Sequence, residues 1–299
     1  MAANNLGYQF KMANVAIKII VINALAFIAF ELIAFIFQWP SGFLIQWFWL
    51  PAKLSDLLFQ PWSLITYSFL HADILHILFN MLILYWFSQI VLNLFTPKRF
   101  LTIYFLGAIS GAVFFILAYN LFPVFGGATD VATLQGASAA VMAITIFIAA
   151  YTPNTEVRVI FFNVKMWQLG VFLVVMDLVR IPTSGNAGGF ISHLGGALFG
   201  YIYATQLAKG NDIGIWWENM IDGFATMFKK REKKSKMKTV YRKQKSASST
   251  NRSSAASSKL SKSEHQRRID DILDKISKSG YDSLSQQEKD FLFKAGKNS

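Results

Sequence analysis

Long apolar runs, separated by short polar or turn-rich stretches, dominate the first 208 positions; past position 228 a polar, basic sequence replaces them. A helix needs about 20 apolar residues to cross roughly 30 Å of hydrocarbon. The pattern predicts six crossings: Val15–Phe37, Leu75–Phe95, Phe100–Tyr119, Ala137–Tyr151, Met166–Ile181 and Gly188–Leu207. The fourth covers only about 22 Å at 1.5 Å per residue, so its amino end is expected to start below the membrane surface. Non-helical backbone at that depth is tolerated only inside protein or along a water-filled cavity. Residues 38–62 hold Trp39-Pro40-Ser41-Gly42 and Gln46-Trp47-Phe48-Trp49-Leu50-Pro51 and read as a structured interfacial loop.

Composition agrees with a membrane protein: 54% of the 299 residues are hydrophobic and the mean hydropathy is +0.38. Nine Lys/Arg balance nine Asp/Glu up to Phe228, so the whole formal charge of +12 comes from the remainder. Lys98-Arg99, Arg158 with Lys165, and the cluster from Lys229 to Lys245 fall on the same side as the amino terminus. The positive-inside rule makes that side, and with it both termini, cytoplasmic. Spans two, four and six then run inward from outside. The first run is long enough to cross and lacks the short apolar core and small-residue cleavage site of a removable signal.

The soluble part divides into a Lys/Ser-rich stretch, 229–262, expected to be disordered and to lie on anionic lipid, and a helical hairpin over 263–299. In the hairpin Ile269, Ile272, Leu273 and Ile276 share a face, Gly280 ends the first helix, and Ser285 with Glu288 forms a capping box for the second. The fold class is therefore an all-α polytopic membrane protein, a six-helix bundle with a short submerged fourth span and a small soluble helical tail. The domains are 1–228, 229–262 and 263–299. His265 reads as a solvated surface residue, and Glu31, near the outer end of the first span, as a hydrogen-bonded or protonated structural one.

Candidate chemistry gathers at the outer ends of spans two, four and six. Ser138 opens span four, and a serine hydroxyl is a weak nucleophile until a base takes its proton. His193 on span six is the candidate base, brought close by Gly196 and Gly200, which allow tight approach to the alanine-rich span four. His76 and Asn80, four apart, share a helix face. With the backbone around Ala137 and Ser138 they form a candidate oxyanion hole, and Gly136 leaves room for a substrate backbone. His71 reads as an interfacial or water-retaining residue, and Asp177 as the ion-pair partner of Arg180, which leaves a Ser/His dyad. Without cysteine or His-Glu-x-x-His, no metal site or cofactor is expected. The expected partners include the bilayer and not nucleic acid.

His71-x4-His76-x3-Asn80, Gly136-x-Ser138 and His193-x2-Gly196-x3-Gly200, in that order on spans two, four and six, resemble the rhomboid family of intramembrane serine proteases over residues 10–208. The resemblance implies Ser138 as nucleophile, His193 as base, His76 and Asn80 in the oxyanion hole, and transmembrane proteins as substrates, cut in the outer half of the bilayer near small residues. It also implies a bacterial cytoplasmic membrane, and the tail resembles a helical extension of some bacterial rhomboids. Ala139 stands where the family usually has glycine, and Met142 where it often has an aromatic against the base. The Trp-Arg pair of the family's first outer loop is missing. The other reading is a catalytically inactive rhomboid-like protein that binds or escorts membrane clients.

Overall fold

The computed structural model describes residues 5–40, 42–159, 161–228 and 257–297. It divides into two compact units, Met1–Arg231 and Glu232–Ser299. In the first unit a short α1 (Leu6–Met12) leads into α2 (Val15–Ile36), and α3 (Leu54–Phe59) and α4 (Ser63–Thr66) lie in the loop that follows. Then come α5 (Ile74–Leu94), α6 (Pro97–Leu121), α7 (Ser138–Tyr151), α8 (Met166–Thr183), α9 (Ala187–Ala208) and α10 (Ile215–Phe228).

Four of these helices, α2, α5, α6 and α8, are long and apolar enough to cross a membrane. α7 is as apolar but has 14 residues. α9 has the length, while five glycines with Ser192, His193, Thr205 and Gln206 dilute its apolar content.

Local sequence sets where the helices start. Asn14 accepts from the Ile17 N–H at 2.9 Å, Asp73 from His76 at 2.8 Å, Thr96 from Arg99 at 3.2 Å and Asn186 from Gly189 at 3.1 Å. Pro97 sits at the first turn of α6, where its missing N–H costs nothing. No side chain caps α7, so its first N–H groups remain available.

α7 is the axis of the unit: every residue from Ala139 to Ala149 is buried, and it packs most heavily on α9, then on α6, α5 and α8. The packing depends on small residues. A methyl placed on Gly107 or Gly111 of α6 would strike Ala143 or Ala139, and one on Gly196 or Gly200 of α9 would strike the carbonyls of Ala139 and Ala143. The alanine face of α7 is thus clasped between two glycine faces, which is how helices maximise van der Waals contact in lipid. The register advances four residues on both α7 and α9, so the two run parallel. One turn back, Ser192 and His193 fall level with the start of α7.

Two strand pairs fix the connections. β1 (Leu50–Pro51) pairs antiparallel with β2 (Thr133–Leu134), Leu50 opposite Leu134, and ties the aromatic loop to the segment that enters α7. β3 (Glu156–Val159) and β4 (Phe162–Lys165) form a hairpin between α7 and α8, in a stretch that reads as a polar loop because its alternation lasts only four residues a side. Asp212, just before α10, accepts from Arg99 at 2.6 Å, from the Tyr203 hydroxyl at 2.8 Å and from the Gly214 N–H at 3.0 Å. Lys98 donates to Asp222 at 2.7 Å, which adds a second tie between α6 and α10.

In the second unit, α11 (Ser257–Ser279) ends at Gly280, whose φ of 77° suits glycine, and α12 (Gln286–Lys297) returns. α11 begins at Ser257, inside the stretch expected to be linker; the rest of that stretch, 229–256, lies outside the described residues, as does the side chain of His265. Ile272 and Leu284 are buried in the hairpin. The capping box closes in both directions: Glu288 accepts from the Ser285 N–H at 2.8 Å, and Ser285 Oγ accepts from the Glu288 N–H at 3.4 Å. Lys275, 2.9 Å away, and then Ser285 hold the Glu288 carboxyl down at about 2.

Candidate active site

A cavity of about 910 Å3 opens among α5, α7, α8 and α9, and His76, Asn80, Ser138, Asp177, Arg180 and His193 all line it. Ser138 is the first residue of α7 and is half-buried, so its hydroxyl lies where the uncapped N–H groups and the positive end of the helix dipole converge. The backbone reaches it through Gly136, whose φ of 133° disfavours any side chain, and the Gly136 N–H is anchored on the Tyr67 carbonyl at 2.9 Å. A β-carbon at Gly136 would stand 2.9 Å from His76 Nε2 and 3.5 Å from Ser138 Oγ. These two atoms therefore lie within about 6.4 Å of each other.

His76 is oriented by its neighbours. The Ala72 N–H donates to Nδ1 at 3.4 Å, so in the neutral ring the proton sits on Nε2, the atom that faces Gly136. Asn80 is buried, and one of its amide hydrogens goes to the His76 carbonyl at 2.9 Å, which leaves the other to donate. His71 is buried and meets the His76 ring edge-on, with centroids 5.1 Å apart. Burial, and then the nearness of His76, push its imidazole down to about 3, so it is neutral at ordinary pH.

His193 carries the main departure from expectation. Asp177, read from the sequence as the partner of Arg180, instead places its carboxylate 3.1 Å from His193 Nδ1. Arg180 turns away and lies over the Phe190 ring at 5.6 Å. The contact joins α8 to α9 across the Pro182–Gly185 turn, and sequence spacing favoured the nearer Arg180, three residues along the same helix. A neutral imidazole donating from Nδ1 to Asp177 keeps Nε2 free to accept a proton. Phe190, at right angles to His193 with centroids 5.8 Å apart, supplies the aromatic contact that Met142 lacks. Met142 is buried with Ile146 and Ala197, against Leu173 and Val174. Ala137 and Ala139, on either side of the serine in the chain, are buried. Glu31 is exposed on α2 and lies outside this cavity. Among the described residues no group of three or more His, Cys, Asp or Glu could hold a metal ion.

The Rhomboid domain family matches residues 58–210, just over half of the chain, and the chain belongs to that family. RHOMBOID-like protein 12, mitochondrial, of Arabidopsis thaliana is 34% identical over 158 residues, covering 50% of this chain and 47% of its own. Presenilin-associated rhomboid-like protein A, mitochondrial, of Danio rerio is 28% identical over 153 residues, 50% of this chain and 37% of its own. Rhomboid-like protease 3 of Toxoplasma gondii is 28% identical over 170 residues, 56% of this chain and 60% of its own. The chain thus spans about half or less of the first two relatives. Their names place those two proteins in mitochondria and lend nothing to a bacterial membrane. A family of unknown function, DUF6576, matches 259–296, the helical hairpin.

Proposed function

We propose that this chain is an intramembrane serine endopeptidase that cleaves membrane-spanning proteins in the outer half of the bilayer. The observation that carries the reading is the one cavity shared by the Ser138 hydroxyl at an uncapped helix start, the His76 Nε2 edge and the His193 imidazole. In this reading α2, α5, α6, α7, α8 and α9 all cross, with both termini cytoplasmic, and α7 starts below the outer surface.

The chemistry follows from the tautomers. Ser138 Oγ adds to the scissile carbonyl carbon while its proton passes to His193 Nε2. Negative charge grows on the former carbonyl oxygen, toward which His76 Nε2–H, the free Asn80 N–H and the first N–H groups of α7 can donate. The C–N bond then breaks, His193 returns the proton to the departing nitrogen, and an acyl-serine remains. Water attacks this ester with His193 again taking the proton, and the carboxylic acid product leaves. Asp177 is the orienter of the base, so the arrangement is a dyad supported by a carboxylate.

Purified protein incubated with a single-span reporter is the test. Cleavage that disappears in Ser138→Ala and in His193→Ala supports the reading, and full cleavage by Ser138→Ala removes it.

A further inference from the structure

The carboxylate–imidazole contact leaves a charge unaccounted for. Three charged side chains other than histidine line the cavity: Asp73, Asp177 and Arg180. Asp73 caps α5 through the His76 N–H at 2.8 Å, and Asp177 faces His193 at 3.1 Å. Arg180 is the only lysine or arginine in that lining and forms no salt bridge among the described residues, although Asp177 is one turn away on the same helix. Its guanidinium is exposed at the cavity and held over Phe190, the ring that also abuts His193. A stacked guanidinium keeps its in-plane N–H donors free for a planar anion, and a carboxylate accepts two of them at once.

We propose that Arg180 makes this site select substrates carrying an aspartate or glutamate close to the scissile bond on its extramembrane flank. This inference rests on the protease reading above. Arg180 stands about 4.5 Å outward of Asp177 along α8. With the reach of its side chain, it meets an extended substrate within about three residues of the bond cut. The carboxylate is bound in the ground state and the transition state alike, so the preference falls mainly on KM. For a partly solvated pair its size is about two- to fivefold.

The experiment uses the full chain in liposomes and paired single-span reporters that differ by Glu or Gln at one flank position. Wild type is expected to prefer Glu by about two- to fivefold in kcat/KM, less at high salt. In Arg180→Gln the ratio should fall to about one, and in Arg180→Glu a Lys reporter should become the preferred one. A Glu/Gln ratio that stays at its wild-type value in Arg180→Gln overturns the inference and leaves the protease reading standing. So does an effect of Arg180→Gln that tracks only the anionic lipid content of the liposomes. Binding of the same reporters to Ser138→Ala gives a readout without turnover. Tighter Glu binding that needs Arg180 supports the inference even if no reporter is cleaved, the result that would sink the protease reading alone. Equal binding of the Glu and Gln reporters overturns it.

Discussion

A methyl group added at Gly196 would land inside the surface of α7. Its carbon would lie 2.9 Å from the carbonyl carbon of Ala139 and 3.3 Å from its Cα, and nearer still to the carbonyl oxygen. Unstrained carbon contacts fall at about 3.5–4.0 Å, so α9 has to move off α7 by roughly 1 Å. Overpacking of this kind costs about 1–3 kcal/mol. The same shift withdraws His193, one turn away on α9, from Ser138, and a displacement of about 1 Å at reacting groups can cost about 10²-fold in rate. Gly196→Ala should therefore lower the Tm by several degrees and reduce kcat far more than it changes KM. The control is Gly127→Ala, where a β-carbon meets nothing within 4 Å. Thermal unfolding in detergent and steady-state cleavage of a single-span reporter measure both effects. If Gly196→Ala matches the Gly127→Ala control in Tm and kcat, the glycine clasp is not what brings α7 and α9 together.

Three further outcomes follow from the site. Asp177→Asn keeps the shape of the contact but removes the carboxylate facing His193, and should lower kcat by about 10²- to 10⁴-fold with little change in KM, read in the same assay. Asn80→Ala removes one buried donor, which in the proposed reaction serves the oxyanion, and should cost about 10²-fold in kcat, with Tm showing whether the fold survives. His71 titrates at about 3 when folded, against about 6.5 when unfolded, so the unfolded chain takes up this proton first. The stability it supports is present above pH 6.5 and drains away as pH falls toward 3; Tm measured from pH 7 to 4 should fall less steeply in His71→Gln.

How much of this could be read from the chain varies with the distance over which each feature is encoded. The bounds of α2, α5, α6 and α9 lie within three residues of the apolar runs, because hydrophobic length and local caps such as Asp73 and Asn186 are written in adjacent residues. The spacing of His76 and Asn80 follows from helix geometry alone. The Asp177–His193 contact does not, since it depends on how α8 turns about its axis when it meets α9, and the Arg180 three residues along was a plausible partner in one dimension. Pairing of Leu50–Pro51 with Thr133–Leu134, more than 80 positions away, has no local signature either. α10 is too short and too mixed to stand out as a further crossing, with Lys209-Gly210-Asn211-Asp212 separating it from the sixth run, and what places it is Asp212 meeting Arg99 and Tyr203.

Whether an activated hydroxyl exists at the head of α7 decides the account. Membranes containing the full chain, treated with a fluorophosphonate and read by peptide mass spectrometry, measure it directly. One covalent adduct is expected, on Ser138, strongly reduced in His193→Ala. A folded protein that takes no adduct at Ser138, or takes it equally well without His193, would contradict it and favour a client-binding relative of the protease.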